Sequence, residues 1–241
     1  MIKRLTDLSD ISGSLPLVSV IQTDFYFACE ASEGVFFQEI NGVKALIMSL
    51  RGTTATICKL SNCVDVEELS LFLAFRQIKN VLSDFYFDGF NLEKRAVLKA
   101  APQYEAVEEV NVLSALSSTK DYKAVFELLA YKGEFEAWYP PFCKKINSQH
   151  ACGVYLTDNE NPVSCAVAPF IFNSVGIIAG VYTAKSDRKQ GLGSKCVKAL
   201  LAELKSKGAE QVYLWCENKN IKFYENIGFL VCGEIFVKRE E

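Results

Sequence analysis

The sequence predicts an α+β fold in which a mixed, mostly antiparallel sheet is flanked by helices. The first observation is a hairpin signal: Asn41-Gly42 joins two apolar runs, GVFFQEI and VKALIMSL, and both turn residues can take positive φ. The second is a helical stripe: between residues 191 and 207, leucine or cysteine recurs every four residues, and Gly208 follows as a helix terminator. Further strand and helix signals follow each other along the chain.

The first half of the chain continues with a third strand and a helix. The strand is the run TTATICKL, and apolar residues at helical spacing predict a helix over residues 65–81. Asp65 and Glu68 fit a capping box at its start. The mixed, charged stretch after this helix predicts a boundary between two domains, residues 1–109 and 110–241.

From residue 119 the predicted elements follow one another closely. Two helices come first, and Pro140-Pro141 either interrupts or starts the second of them. The apolar runs after them predict an antiparallel three-strand meander, a helix, a strand, a short helix and a last strand. The predicted helices cover residues 119–129, 135–146, 191–207 and 221–226, and the predicted strands cover residues 152–158, 163–172, 175–183, 211–216 and 229–238.

Composition narrows the class of protein. The 241 residues are 50% hydrophobic with a formal net charge of -3. This charge is not typical of a nucleic-acid-binding protein. The longest apolar stretch is far short of the roughly 20 residues that a membrane helix needs, and the start lacks the apolar core of a signal peptide. We therefore expect a cytoplasmic protein with no nucleic-acid and no membrane partner. Nine cysteines without a CxxC pair indicate reduced thiols and no metal site, and the single histidine, His150, argues against a catalytic triad.

One segment carries the clearest chemical signal. A predicted strand ends at Thr183, a short loop contains Arg188-Lys189-Gln190-Gly191-Leu192-Gly193, and an amphipathic helix begins there. Glycines let a ligand approach the backbone closely, and the N–H groups and dipole of a helix start favour an anion. Two adjacent basic residues add positive charge, so the segment predicts a pyrophosphate site. Taken alone, it also fits a helix entry whose glycines serve only tight packing.

A second motif follows after one further strand, and with it the sequence resembles a known family. The motif is Phe223-Tyr224-Glu225-Asn226-Ile227-Gly228-Phe229. The GNAT acetyltransferase superfamily has the signature [Q/R]-x-x-G-x-[G/A] after a strand, followed by a strand and an FYexxGF-like segment. The matching residues are Arg188, Gly191 and Gly193 in the first motif, and Phe223, Tyr224, Gly228 and Phe229 in the second. The resemblance covers roughly the second half of the chain.

The resemblance implies a GNAT-like fold and acetyl-CoA as co-substrate. The pantetheine arm would pair with the backbone of residues 181–183 like an added strand, and the amides of residues 188–194 would hold the pyrophosphate. Tyr224 would lie near the sulfur and protonate the departing thiolate; its alternative role is packing on Phe229. The implied cofactor-binding residues are Val181, Tyr182, Thr183, Arg188, Lys189, Gln190, Gly191, Leu192, Gly193 and Ser194, together with Asn218 and Asn220, whose spacing departs by one residue from the family pattern.

The sequence leaves the general base and the acceptor open. The strand VGIIAGVYT has no carboxylate, and Glu217, at the end of the next strand, is a candidate base whose alternative is a solvated strand end. Glu134, Glu136, Trp138 and Tyr139 lie where the family builds its acceptor pocket, and acidic plus aromatic groups would suit a cationic amine. The same stretch also fits an ordinary half-buried helix.

The two halves of the chain are alike in plan, which predicts two GNAT-like domains in tandem. Each begins with a Gly-Val-aromatic run, at Gly34 and at Gly153, followed by an Asn-containing turn, two more strands and an amphipathic helix. The alternative for the first half is an unrelated α+β domain. Its segment 61–68 has no glycine and three acidic residues, so we expect no cofactor site there.

These features predict an acetyl-CoA-dependent N-acetyltransferase that acts on a primary amine of a small molecule or a protein. The alternative is a non-catalytic acyl-CoA-binding module with a sensing or regulatory role. The oligomeric state is left open.

Overall fold

The structure is a computed structural model that describes residues 1–7, 16–27, 33–102, 107, 109–129, 134–159 and 161–239. It divides into two compact units. The first unit contains Met1–Val97, Trp215–Asn218 and Cys232–Glu241, and the second contains Leu98–Leu214 and Lys219–Val231. These units do not follow the predicted division at 109/110, because the last strand packs with the first unit. Whether residues 1–109 form a separate domain without a cofactor site stays a prediction.

The first unit is a sheet with one helix on each face. Its strands run in the order β1-β2-β3-β4-β5-β14-β6. Met48 of β3 packs in a core cluster with α2, while the adjacent Ser49 hydrogen-bonds to Asp24 of α1, so the two helices lie on opposite faces. The elements that lie wholly or mainly in this unit are β1 (Ile2–Arg4), α1 (Pro16–Phe27), β2 (Gly34–Ile40), β3 (Val43–Arg51), β4 (Thr54–Lys59), α2 (Val66–Phe75), β5 (Asn80–Ser83), β6 (Glu93–Ala100) and β14 (Leu230–Lys238).

The predicted hairpin and half of the predicted capping box are present in this unit. Asn41 and Gly42 have φ values of 51° and 79° between the antiparallel strands β2 and β3. At the start of α2, Asp65 accepts a hydrogen bond from Glu68 N at 2.9 Å. The second hydrogen bond of a capping box, from Asp65 N to the Glu68 side chain, is replaced: Asp65 N donates to Gln38 Oε1 at 2.9 Å.

Helix α2 ends at Phe75, six residues before the predicted end. Gln77 takes a left-handed conformation with φ 54°, and Ile78 N donates to Leu73 O at 3.0 Å. These are the features of a Schellman motif, which usually has glycine at the left-handed position. The apolar Ile78 continued the helical spacing in the sequence, but its side chain joins the core after the helix has ended.

Within its described residues, the second unit contains four α-helices and two groups of strands. One group is a four-stranded sheet in the order β12-β9-β8-β7, and the other places β11 between β10 and β13. The elements of this unit are β7 (Asn111–Leu113), α3 (Thr119–Leu129), α4 (Phe135–Asn147), β8 (Cys152–Asp158), β9 (Asn161–Ala168), β10 (Phe170–Phe172), β11 (Val175–Ile178), β12 (Gly180–Thr183), α5 (Leu192–Ser206), β13 (Gln211–Cys216) and α6 (Ile221–Glu225).

The predicted antiparallel three-strand meander is present as β8-β9-β12, but two of its three runs are not continuous strands. The run 163–172 is split at Pro169 into β9 and β10, and the run 175–183 is split at Ala179 into β11 and β12. Strand β11 pairs with β10 and, in parallel, with β13, whereas β12 pairs with β9. Proline has no N–H for a ladder, and each apolar run divides because its two halves pair with different neighbours.

Helix α4 runs through both prolines, so they neither interrupt nor start it. Pro140 and Pro141 lie in its middle, where each lacks the N–H of a helical hydrogen bond. Aromatic packing compensates: Trp138 stacks on Phe142 with ring centroids 4.6 Å apart and contacts Phe126 of α3 at 5.4 Å. The pair α3–α4 thereby covers one face of the four-stranded sheet.

The predicted fold class, α+β with mostly antiparallel strand pairing, is confirmed. The parallel pairs described are β4–β5 and β11–β13. The first half has the predicted order of three strands and a helix, and its origin as a degenerate repeat stays a prediction.

In the described part of the chain, no helix is long and apolar enough to span a membrane, and no group of three or more His, Cys, Asp or Glu side chains could hold a metal ion.

Candidate active site

The parallel strands β11 and β13 stop pairing where β12 begins. Their register joins Val175–Ile178 to Gln211–Leu214. After Ala179 the chain turns into the other sheet, and Gly180–Thr183 pairs with β9. The strand that leads into the glycine-rich loop therefore leaves its parallel neighbour.

The ladder between β12 and β9 determines which backbone groups of β12 are available. Ala184 N donates to Val163 O at 2.8 Å, and hydrogen-bonded and non-hydrogen-bonded pairs alternate along an antiparallel ladder. Tyr182 is therefore in a hydrogen-bonded pair, whereas Val181 and Thr183 direct their N–H and C=O groups away from β9. Because β12 is the edge strand of its sheet, these groups are positioned to pair with an extended ligand arm.

The loop between β12 and α5 has the geometry of an anion site. Lys189 and Gly191 both have positive φ, 66° and 79°. Such left-handed residues let successive N–H groups converge on one point. Gly191 is also the N-cap of α5 and has no side chain to satisfy the first-turn N–H groups. The start of this helix, which has no acidic residue in its first turn, is therefore open to a phosphate.

Arg188 is held against the end of β12. Its Nε donates to Thr183 O at 3.1 Å, and its guanidinium lies 5.6 Å from the centre of the Tyr182 ring. The Nε atom is thus used within the protein, and the two terminal nitrogens remain to face an anion. Arg188 therefore positions the loop in addition to supplying charge.

Gly193 brings three elements into close contact. A Cβ atom at this position would lie 3.1 Å from Thr183 Oγ1 of β12 and 3.5 Å from Cζ of Phe223 in α6. A larger residue would push the first turn of α5 away from both. The two motifs found in the sequence, around Gly191 and around Tyr224, are therefore neighbours in space.

Tyr224 is half-buried and packs between two phenylalanines. Its ring centre lies 4.9 Å from that of Phe223 and 5.8 Å from that of Phe229, both in edge-on arrangement. Its position in α6, next to the residue that contacts Gly193, is compatible with the proton-donor role. The Tyr224 ring also packs on Phe229, as the alternative role requires. Only a substitution that removes the hydroxyl and keeps the ring can distinguish proton donation from packing.

The remaining predicted residues differ in their surroundings. Glu217 forms an ion pair with Arg95 in the first unit, 3.4 Å between Oε1 and Nη1. A carboxylate held by a guanidinium is a weaker base. Asn218 also lies in the first unit, whereas Asn220 is the N-cap of α6 in the second unit and makes no capping hydrogen bond with its side chain.

The residues expected at the acceptor pocket divide into two kinds. Trp138 and Tyr139 belong to the aromatic packing between α3 and α4; the Tyr139 ring stacks on Phe135 at 5.1 Å. Glu134 and Glu136 are exposed. No contact in the described residues tests whether the four form a pocket.

Sequence reasoning missed a carboxylate near these helices. Asp121, at the start of α3, accepts hydrogen bonds from Ser118 N at 2.8 Å and from Tyr155 Oη at 2.9 Å. The hydrogen bonds from Ser118 contribute most to lowering the pKa of Asp121, and burial together with Asp121 raises the pKa of Tyr155 to about 12. The capping pattern Ser118-x-x-Asp121 was readable in the sequence, but the contact with β8 was not.

A cleft of about 670 Å³ lies beside the loop, on the α5 face of the sheet. Its lining includes the carboxylates Glu109, Asp158 and Asp187 and the ammonium of Lys195. Lys195 Nζ is paired with Glu109 Oε2 at 2.8 Å, so the net charge of the cleft is negative. Gln190 and Leu192, at the start of α5, also line the cleft, so a phosphate at that helix start would be repelled by these carboxylates unless it lies on the side of Arg188 and Lys189.

Comparison with known proteins agrees with this geometry. A family model described as Acetyltransferase (GNAT) family matches residues 118–229. A search of curated proteins found no significant match.

Solved structures share the fold over nearly the whole chain. A GCN5-related N-acetyltransferase from Kribbella flavida superposes with a TM-score of 0.61 at 15% identity, over 96% of this chain and 98% of that chain. A GCN5-related N-acetyltransferase from Sphaerobacter thermophilus gives 0.61 at 12% identity, over 100% and 95%. An acetyltransferase from the GNAT family from Colwellia psychrerythraea gives 0.56 at 10% identity, over 100% of both. Over residues 118–229, a little under half of its length, this chain is therefore similar to the GNAT acetyltransferase family.

Proposed function

We propose that the protein is an N-acetyltransferase that takes an acetyl group from acetyl-CoA and transfers it to a primary amine. The observation that carries the proposal is the combination of an open edge on β12 with an uncapped start of α5, joined by a loop with two left-handed residues. An extended, amide-containing arm fits the first feature and a pyrophosphate fits the second. Pantetheine and pyrophosphate are adjacent parts of coenzyme A.

The chain's own residues would bind and orient the donor. The outward N–H and C=O groups of Val181 would pair with the pantetheine amides, and the first-turn amides of α5 would hold the pyrophosphate, helped by Arg188 and Lys189. The half-buried Tyr224 would face the sulfur. Holding the thioester in a fixed position beside the amine accounts for a large part of the rate enhancement.

The reaction is a direct attack of the neutral amine nitrogen on the thioester carbonyl. The C–N bond forms, the C–S bond breaks, and the sulfur leaves with the bonding electron pair. Tyr224 donates its proton to that sulfur, because a phenol of pKa about 10 can protonate a thiolate whose acid has a pKa near 8.5. The proton lost by the amine passes to water, and water returns a proton to the Tyr224 phenolate; we assign no side chain as the base.

One observation favours a second function, a non-catalytic acyl-CoA sensor. The candidate base Glu217 is held in an ion pair with Arg95, and β12 carries no carboxylate. A sensor would need the donor site and no base. A cytoplasmic location and an amine acceptor, small or on a protein, remain part of the proposal.

The discriminating experiment measures free thiol released from acetyl-CoA in the presence of a broad panel of primary amines, including polyamines, amino acids and peptides with a free lysine or N-terminus. Release that depends on one class of amine supports the enzyme and identifies its acceptor class. Binding of acetyl-CoA without release for any amine would instead support the sensor. Failure to bind acetyl-CoA at all would contradict both functions.

We expect one molecule of CoA to bind per chain, because the first unit closes the equivalent positions. Asp65 caps α2, whose first turn also contains Glu67 and Glu68. Beyond the parallel pairing of β4 with β5, Asp84 Oδ1 accepts from Lys59 N at 2.8 Å and Oδ2 from Cys58 Sγ at 3.2 Å. The Asp84 carboxylate therefore occupies the backbone N–H of Lys59, which a ligand arm would need for pairing.

Isothermal titration calorimetry with CoA measures this stoichiometry directly. We expect a stoichiometry near one, and the Gly191 variants described below should lower the affinity of this binding. A value of two would contradict the closed state of the first unit.

A further inference from the structure

We propose that Ser164 is a positioning residue for the acyl-CoA site: its hydroxyl fixes the end of β12 against the first turn of α5. The proposal rests on the proposed function, since it concerns the same site. Ser164 lies on β9 and is fully buried, so it would not touch the ligand itself.

The Ser164 hydroxyl has two partners on β12. Its Oγ donates to Tyr182 O at 3.0 Å and lies 2.9 Å from Thr183 Oγ1. A hydroxyl has one proton to donate and two lone pairs that can accept.

The single proton of Ser164 determines the direction of the second hydrogen bond. Because Ser164 donates to Tyr182 O, the proton between Ser164 and Thr183 must come from Thr183. Ser164 and Thr183 are also directly opposite each other in the ladder, in a non-hydrogen-bonded pair, where side chains approach closely. The Thr183 side chain is therefore held in one rotamer by Ser164.

Thr183, held in one rotamer, contacts the proposed ligand site through both its side-chain hydroxyl and its main-chain carbonyl. Its Oγ1 would lie 3.1 Å from a Cβ on Gly193, at the first turn of α5, and its carbonyl accepts from Arg188 Nε at 3.1 Å. Movement of Thr183 would displace the loop and the outward edge of β12 together. Those are the two surfaces assigned to the pyrophosphate and to the pantetheine arm.

Removal of the Ser164 hydroxyl would leave Thr183 free to rotate and would remove the additional hydrogen bond that the Tyr182 carbonyl accepts. Such a change has a purely structural component, because the loss of a hydrogen bond lowers stability wherever it occurs. A positioning role predicts in addition a loss of CoA affinity, with a smaller effect on the rate once the donor is saturating. The test must separate these two components.

The test compares Ser164→Ala, Ser164→Cys and Thr183→Val in the full chain, with CoA binding measured by calorimetry, Tm by thermal melting, and kcat and KM for acetyl-CoA by thiol release. Ser83→Ala is the matched control, since Ser83 is also a fully buried strand serine, and its hydroxyl accepts a hydrogen bond from Phe85 N at 3.2 Å.

We expect Ser164→Ala to weaken CoA binding and raise KM about tenfold, with kcat changed much less. Ser164→Cys, which keeps a weak donor and acceptor, should lose less.

Thr183→Val keeps the shape of the side chain and removes the hydroxyl, and it serves if Ser164→Ala does not fold. It should weaken CoA binding to a similar extent, and the double variant should be no worse than Ser164→Ala alone, because Ser164→Ala already removes the hydrogen bond that Thr183→Val removes. Ser83→Ala should lower Tm and leave CoA affinity unchanged.

Wild-type affinity and KM in Ser164→Ala, or additive losses in the double variant, would overturn the proposal while leaving the proposed function intact. Failure of the unaltered protein to bind CoA would overturn the proposed function first, and this proposal with it.

Discussion

Replacement of Tyr224 by phenylalanine is expected to lower kcat about 100-fold, at the lower end of the usual range for a general acid. The substitution removes only the hydroxyl, because the ring contacts with Phe223 and Phe229, at 4.9 and 5.8 Å, are made by the ring itself. Without the proton donor the sulfur must leave as a bare thiolate. The affinity for CoA should change little, since the contacts that we propose for the phosphates and pantetheine lie on β12 and α5.

The measurement is kcat at saturating acetyl-CoA and amine across pH, together with CoA affinity by calorimetry. Tyr213→Phe is the matched control: Tyr213 lies on β13 in the same unit, is buried, and donates its hydroxyl to Gln211 Oε1 at 2.9 Å. That variant should keep its kcat. If Tyr224→Phe also keeps the wild-type kcat at every pH, Tyr224 is a packing residue only.

Local signals in the sequence predicted the elements whose conformation depends on a few adjacent residues. The Asn41-Gly42 hairpin needs positive φ at both turn positions, and these residues supply it at low cost. The end of α5 is similar: Gly208 has φ 82°, and Ala209 N donates to Leu204 O at 3.0 Å, as in a Schellman motif. Glycine at the required position made this helix end visible in the sequence.

The same motif was invisible where another residue occupies the left-handed position. Gln77 ends α2 and Gln149 follows α4, with φ values of 54° and 66°. Glutamine carries no sequence signal for this conformation, so the predicted helix over 65–81 ran on to residue 81. At Gln77, packing of the following Ile78 into the core offsets the backbone cost, and that packing is a tertiary effect.

Long-range pairing explains the other differences at the site. The run VGIIAGVYT is apolar throughout because both of its halves are at least partly buried, so periodicity could not reveal that it changes sheets at Ala179. The partners of Glu217 and Asp121, namely Arg95 and Tyr155, are far away in sequence. Sequence reasoning located the loop and Tyr224 through motifs, and it had no means of finding Ser164, whose role depends on the register between β9 and β12.

The other large effect is expected at Gly191, where a negative charge should weaken CoA binding about 100-fold relative to a neutral side chain of the same shape. The matched pair is Gly191→Asp and Gly191→Asn. Gly191 has φ 79°, a conformation that aspartate and asparagine tolerate better than other residues, and a Cβ there would meet no atom within 4 Å. The two variants therefore share backbone strain and bulk and differ in charge.

Stability and binding should respond to this charge with opposite signs. A carboxylate at the N-terminus of α5 interacts favourably with the helix dipole, so Gly191→Asp should melt at the same temperature as Gly191→Asn or slightly higher. The same carboxylate competes with the pyrophosphate for the first-turn N–H groups and repels it. Calorimetry with CoA at low and high salt measures the effect, and the difference between the variants should shrink as salt screens the repulsion. Equal CoA affinities in the two variants at low salt would mean that the phosphates bind elsewhere on the protein.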